Sequence, residues 1–359
     1  MTCIWDTQLQ DLLSSLRAHF RLSEVELPES PVFIAVAVPV GAETTGMRPR
    51  LPAGRGLSAA QAMLSAAAES VELLASLAQS CDREQNHFRQ QDGLAHVLAQ
   101  DLSGGPPQFL PAQRVYLDWA AVFKESLVYD ADSNGCACGS NWSEALNRAL
   151  LECIERDAMA IWWYGRQRRR HISISHLDRL APRLSWWLSE RQRRVRLIDI
   201  TGDIGVPVVA AVSHDDNGRR IAIGSAAATD FGAAAVSAVT EMIQMEVSMT
   251  MGSNNAELEN WLANASVTDM RQFEPNQTVV EKPFAAVDAT RQLTDAGHQV
   301  FAVDLTRRED LLSTARVIVP TLSPLHRTPN LARIAYQSMQ QPQFGGIQTV
   351  DDIETVEPY

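Results

Sequence analysis

Three segments of this chain place carboxylates at helix spacing. Ser65, Glu69, Glu72 and Ser76 succeed one another at offsets of four, three and four residues. Arg148, Glu152, Glu155 and Met159 repeat that phase, and so do Ser237, Glu241, Gln244 and Ser248. Such offsets put each set on one stripe of a helix. The apolar residues gather on another face: Leu64, Ala67, Val71 and Leu74, then Leu146, Leu150, Cys153 and Ile154, then Val236, Val239 and Ile243. Ordinarily a Glu-x-x-Glu pair on a helix is a solvated face. Here two considerations argue otherwise. Like charges one turn apart weaken a helix by a few tenths of a kcal/mol, and two of the helices are almost wholly small or apolar around the polar stripe. Buried carboxylates must be paired or must coordinate a metal.

Five inward carboxylates, Glu69, Glu72, Glu152, Glu155 and Glu241, would favour Mg²⁺, a hard cation that takes oxygen ligands. A glycine-containing loop precedes each helix: Gly54-Arg55-Gly56, Asn134-Gly135 through Gly139, and Gly224-Ser225. Glycine loops at helix starts, with Arg55 and Arg156, suit phosphate groups beside the metal. By themselves the residues point to a magnesium-nucleotide site.

Composition narrows the setting. The 359 residues are 45% hydrophobic and 21% charged, as in an ordinary globular protein with a sizeable core. Against 43 acidic residues stand 31 basic ones, a net charge of −12, which disfavours binding a nucleic-acid backbone. Five cysteines, Cys3, Cys81, Cys136, Cys138 and Cys153, form no even disulfide framework. The start, MTCIWDTQLQDLL, lacks a signal peptide's basic and apolar regions, and no window reaches the roughly 20 apolar residues of a membrane span. A reduced cytoplasmic protein without membrane or nucleic-acid partners is the expectation.

The elements follow from periodicity. Helices are expected near 9–16, 59–77, 142–164 and 232–250, with strands at 33–40, 114–123, 195–201, 206–213, 221–226, 300–306 and 317–320. Residues 1–30 read as a helix and a turn, 82–105 as polar and weakly helical, and 103–107 as a subdomain seam. This order predicts a mixed α/β or α+β layered fold. Cys136-x-Cys138 with Cys153 reads as small buried residues better than as a zinc site, whose paired ligands usually stand further apart and come in fours. The arginines of 166–170 and 191–196 read as a solvated face, with contact to an acidic partner as the alternative. Trp162 and Trp163 read as core, and Asp157 as a structural hydrogen-bonding group.

SNGCACGSNWSEALNRALLECIERDAMAIWWYGR, residues 133–166, resembles the central motif of YcaO-domain proteins, especially their SagD-like branch. Ser-Asn-Gly-x-Ala-x-Gly, Glu-Ala, Glu-x-x-Glu-Arg-Asp-Ala and Trp-Trp-Tyr all match in order. Further matches lie at 54–72, 199–209, 224–244 and 303–324, so the resemblance runs from Pro39 to Pro324. It implies a YcaO-type fold, mixed β-sheets packed with helices around a central Mg-nucleotide site. It also implies a catalytic domain over 46–330, flanked by an N-terminal region 1–45 and a tail 331–359.

The chemistry implied is ATP-dependent activation of a peptide oxygen. A Cys, Ser or Thr of a ribosomally made precursor attacks the preceding amide, the oxyanion is phosphorylated, and phosphate leaves to give a thiazoline or oxazoline. By resemblance Glu69, Glu72, Glu152, Glu155 and Glu241 hold Mg²⁺, while Arg55, Ser65, Glu72, Arg156, Glu241 and Gln244 contact ATP. Glu69, Glu152, Glu155 and Arg156 carry the catalytic role. Phosphoryl transfer asks for positioning and charge neutralisation more than for a protein nucleophile. The sequence departs from the family at Leu73, where many members have Arg, at Arg55, where Lys is common, and in its ending Val356-Glu357-Pro358-Tyr359, which lacks the Pro-rich tail. A leader-binding module is not evident. The implied partners are therefore the precursor, a leader-binding protein related to ubiquitin-activating enzymes, and a flavin-dependent dehydrogenase; a homodimer is compatible with this picture. Thioamide formation with external sulfide and a non-catalytic nucleotide-binding scaffold are the alternatives.

Overall fold

The computed structural model describes residues 4–41, 51–85, 88–251, 256–274, 278–279, 286–307, 310–326, 328–347 and 349–353. Cys3, most of the loop before Gly54 and the ending at Tyr359 lie outside the described residues. The chain opens with α1 (Ile4–Leu16), β1 (Phe20–Val25), β2 (Phe33–Pro39), β3 (Ala53–Gly56) and α2 (Ala59–Ser76). Next come α3 (Asp82–Gln85), β4 (Phe88–Gln91), β5 (Leu94–Asp101), β6 (Gln108–Pro111), α4 (Ala112–Val115) and α5 (Trp119–Phe123). β7 (Cys136–Gly139) leads into the long α6 (Trp142–Tyr164), followed by β8 (Arg170–Ile172), α7 (Pro182–Glu190) and β9 (Arg194–Asp199). Then follow β10 (Val208–His214), β11 (Ala222–Ala227), α8 (Phe231–Thr250), α9 (Ala256–Asn264) and β12 (Thr278–Val279). α10 (Ala289–Asp295), β13 (Phe301–Asp304), β14 (Ser313–Ile318) and α11 (Leu331–Gln340) complete the order. No helix among the described residues is long and apolar enough to cross a membrane.

The chain divides into two compact units. The first comprises Met1–Glu29, Phe33–Leu150 and His298–Pro320, the second Ser30–Val32, Leu151–Gly297 and Thr321–Tyr359. The helix α6 gives its first turns to one and the remainder to the other.

In the first unit, β1, β2 and β3 form an antiparallel sheet, with Phe20 opposite Pro39 and Phe33 opposite Gly56. Buried Ala62 and Ala66 of α2 meet Ala35 of β2, and Ala67 and Val71 meet Leu12 and Leu16 of α1. A second sheet has the order β4-β5-β13-β14-β7, with β6 paired to β5. Arg307 caps α2: it donates to Asp82 at 2.8 Å and to the carbonyl of Leu77 at 2.8 Å, satisfying an end that helix geometry leaves open.

The second unit is built on the sheet β11-β10-β9-β8-β12. Every residue of β10 is buried, which its run of Val and Ala requires of a strand covered on both faces. α8 lays Ala235, Ala238, Val239 and Met242 on the inside. Trp162 and Trp163 of α6 meet Phe273 edge to face, at 5.8 and 6.0 Å between ring centres, so both belong to the core.

Several expectations are corrected. Residues 88–101 form a β-hairpin instead of weak helix, turning on Asp92-Gly93, both at positive φ, as the two-residue hairpin turn demands. Residues 20–25 are a strand, not part of a helix and turn. RVYLDWAAVF is two short helices rather than a strand. Asp118 at φ 58° breaks it, and Trp119 sinks among Tyr116, Phe88 and Phe123. The segment 103–107 joins β5 to β6 inside the first unit. Leu64, assigned to the apolar face of α2, is 40% exposed. What reads as a polar tail contains α11. The arginines of 166–170 and 191–196 are not all a solvated face: Arg166 and Arg194 are exposed, but Arg169 is buried over Phe344, Arg191 and Arg193 pair with Glu246, and Arg196 donates to the Phe273 carbonyl.

Candidate functional site

The glycine segments lie largely in strands, with Asn134-Gly135 as the turn that enters one of them. Gly54 sits in β3, Gly139 in β7 and Gly224 in β11, each pressed on the backbone of the helix that follows it. A Cβ on Gly54 would stand 2.1 Å from the Ala62 carbonyl oxygen, one on Gly139 2.5 Å from the Ala145 nitrogen, and one on Gly224 2.2 Å from the Met242 nitrogen. The recurrence in the sequence is thus a repeated strand-on-helix contact. It brings strand amides within reach of the helix glutamates.

In the first unit, α2 presents Ser65, Glu69 and Glu72, with Arg55 on the neighbouring β3. Glu69 accepts the Ala53 N–H at 3.2 Å, and Glu72 accepts the Cys138 N–H at 2.8 Å. Burial pushes the Glu72 carboxyl up to about 7; the Cys138 bond opposes this, and the negative charge of Glu69 adds to it. Cys138 donates its thiol to the Ala68 carbonyl, and burial pushes that thiol upward too, so it is no ready metal ligand. Among the described residues no group of three or more His, Cys, Asp and Glu is gathered to hold a metal ion, so Glu69 and Glu72 in this unit and Glu152, Glu155 and Glu241 in the other are candidate ligands and not a preformed cluster.

In the second unit, α6 and α8 converge on one serine. Glu155 accepts the Ser225 hydroxyl at 2.7 Å, and the Ala227 N–H lies 3.4 Å from its other oxygen. Glu241 accepts the Ser225 main-chain N–H at 2.8 Å. Arg156 stands 3.5 Å from Glu155, both partly exposed. Glu152, one turn before Glu155, and Gln244, one turn after Glu241, are half-buried on the same stripes. The structure therefore brings together Arg55, Ser65, Glu69 and Glu72 in one unit, and Glu152, Glu155, Arg156, Glu241 and Gln244 in the other.

Two features escape the sequence reading. Ser225, read within the loop before the third helix and the strand 221–226 but not as a site residue, is the hub of the second set; its position directly after a strand glycine was the available signal. Asp157 is structural as expected, but its partner Arg333 lies 176 residues on, where no local pattern reaches. The carboxylate donors suit a hard divalent cation. A desolvated carboxyl poised near neutrality, as at Glu72, is one that such a cation would ionise.

Fold and residues together define a mixed α/β protein whose long helices carry carboxylate stripes. The family model for YcaO cyclodehydratases, described as ATP- and Mg²⁺-binding, matches residues 76–323, and the chain belongs to that family. The match begins after Glu72, so Arg55, Ser65, Glu69 and Glu72 precede it. An uncharacterized protein of Methanothermobacter thermautotrophicus is 27% identical over 251 residues, 64% of this chain and 65% of that protein. A solved heterocyclase in complex with substrate and cofactor superposes with a TM-score of 0.81 at 18% identity, over 99% of this chain and 57% of its own. The YcaO of Methanopyrus kandleri bound with AMPPCP and Mg²⁺ gives 0.70 at 20% identity, over 91% and 95%. At these identities the structural likeness shows the fold. The chain spans a little under two thirds of the first relative and just over half of the heterocyclase.

Proposed function

We propose that this chain is an ATP-dependent peptide cyclodehydratase of the SagD-like kind, with its catalytic part over 46–330. It would convert Cys, Ser or Thr of a ribosomally made precursor to thiazoline or oxazoline. The observation that carries this reading is the convergence of Glu155 and Glu241 on Ser225 with Arg156 alongside, in a family that binds ATP and Mg²⁺. When bound, ATP supplies the phosphoryl group that makes the amide oxygen a leaving group, with Mg²⁺ neutralising charge. Glu69, Glu72, Glu152, Glu155 and Glu241 would hold the metal. Ser65, Arg55 and Gln244 would orient nucleotide, and the Arg156 guanidinium would offer paired donors to phosphate. Ser225 and the strand amides hold Glu155 and Glu241 in place before any ligand arrives.

In this reading, as the family resemblance implies, a leader-binding partner related to ubiquitin-activating enzymes would capture the precursor. Tethering there would raise the precursor's effective concentration to ~mM. A flavin-dependent dehydrogenase would oxidise azolines to azoles. The test is reconstitution with precursor carrying an ¹⁸O-labelled amide before the reacting residue. Loss of one water per residue with label appearing in phosphate supports cyclodehydration; unmodified peptide with the full partner set refutes it. A second ATP-dependent reading, backbone thioamide formation with external sulfide, is followed in the same assay. There, exchange of oxygen for sulfur would indicate thioamide formation.

A further inference from the structure

Asp157 lies two residues after Glu155 on α6, about 200° around the helix at about 100° per residue. It therefore occupies the face opposite the glutamate that meets Ser225. Its carboxylate is buried and fully engaged. One oxygen accepts the Arg333 Nε at 2.6 Å and the Ser323 N–H at 2.8 Å, and the other accepts the Arg333 Nη2 at 2.6 Å. The two side chains are 9% and 2% exposed. Arg333 Nη2 also reaches Asp203 at 2.9 Å, and Gln337, one turn on, donates to that same carboxylate at 2.8 Å. Arg333 itself sits in the first turn of α11, capped by Asn330, whose side chain accepts the Arg333 N–H at 3.2 Å. The Asn330 N–H in turn donates to Ser323 at 2.9 Å. One turn or more further along α6, the Tyr164 hydroxyl donates to the Leu325 carbonyl at 2.7 Å.

Ser323, Leu325 and Arg333 thus grip α6 on the face away from Ser225. Burial works against the Arg333 charge, but its bonds to Asp157 and Asp203 outweigh that and hold the guanidinium protonated. Parallel guanidinium bonds to a carboxylate fix orientation as well as distance. A helix held by Arg333 on one side and by the Glu155–Ser225 bond on the other has no freedom to rotate about its axis.

We propose that Arg333 is a positioning residue: through Asp157 it sets the rotational phase of α6, and so aims Glu155 and Arg156. This rests on the function proposed above for Glu155 and Arg156, but the clamp has a readout of its own. Arg333→Met, Arg333→Lys and Asp157→Asn are to be compared with wild type, as full chains with the partner and precursor that support turnover. Hydrogen exchange along α6 and along β9–β11 is followed together with kcat, KM and melting temperature. In Arg333→Met and Asp157→Asn, amide exchange around residues 152–158 should quicken by about tenfold while the strands keep their protection. The kcat should fall at least about tenfold with KM for precursor within about twofold. Arg333→Lys, which keeps the charge but not the fork, should lie between. Uniformly faster exchange in a protein whose folded fraction keeps its kcat would overturn the proposal, as would unchanged exchange on α6. If Arg333→Met does not fold, Asp157→Asn and Arg333→Lys decide. If wild type itself makes no ATP-dependent product while α6 exchange still responds, the functional reading fails and the clamp on α6 stands.

Discussion

The Glu72 carboxylate accepts the main-chain N–H of Cys138 at 2.8 Å, so a glutamate of α2 is held by strand β7. One amide does not offset the lost hydration, and the carboxyl rises from 4.5 to about 7. The folded protein then binds a proton more tightly than the unfolded chain. Its stability should fall as pH rises from 4.5 to about 7 and level off beyond. Glu72→Gln should remove this slope, so that the variant's advantage over wild type grows between pH 5 and pH 8, to at most about 3 kcal/mol. Denaturant titrations at the two pH values measure it. An advantage that does not change with pH would place the Glu72 carboxyl at its ordinary value. Over the same window wild-type affinity for Mg²⁺ should rise by up to about tenfold per pH unit, because the metal must displace that proton.

Glu152→Gln and Glu155→Gln should each abolish ATP-dependent product while leaving the fold intact. An amide keeps the size of the side chain but offers a metal one oxygen in place of a charged pair. Ser225→Ala, which removes a single hydrogen bond from Glu155, should cost less: about tenfold in rate, the equivalent of ~1.4 kcal/mol. Steady-state rates beside circular dichroism check both. Wild-type turnover by folded Glu155→Gln would remove that residue from the site.

Arg156→Lys should be strongly damaging although the charge is kept. Arg156 stands 3.5 Å from Glu155 and remains partly exposed. A guanidinium offers a planar pair of donors that an ammonium lacks. Nucleotide affinity and rate should both fall by at least about tenfold; a variant equal to wild type in both would leave Arg156 a surface residue.

Gly224→Ala should destabilise the second unit severely. The added methyl would stand 2.2 Å from the Met242 nitrogen and 2.4 Å from the Ala238 carbonyl oxygen, both main-chain atoms that no rotamer change moves. Overpacking typically costs about 1–3 kcal/mol where side chains yield, and here the backbone must. Gly202→Ala, with nothing within 4 Å of the new methyl, is the control and should melt close to wild type.

Local order was legible in the sequence wherever a pattern was long. The helices α2, α6 and α8 lie within a residue or two of their periodic stretches, and the glutamate stripes keep the phase their spacing implied. The Asp92-Gly93 hairpin was also legible, since that dipeptide is a strong turn signal, but the polar residues around it masked it. Trp119 defeated the strand reading of its segment because β-propensity reports only that an aromatic fits a half-buried surface. Packing among Tyr116, Phe88 and Phe123 chose the helix.

By itself, then, the sequence determined which helices exist, which face of each carries carboxylates, and that a magnesium-nucleotide chemistry suits them. These follow from a repeat of 3.6 residues per turn, which a stretch of chain declares alone. Only the tertiary structure decided that the glycines serve close strand–helix contact, that Glu155 and Glu241 share Ser225, and that Arg333 holds Asp157. The physical reason is separation along the chain. Ser225 stands 70 residues from Glu155, and Arg333 176 from Asp157. Partners that far apart are chosen by which sheets and helices pack together, a choice no short-range periodicity encodes.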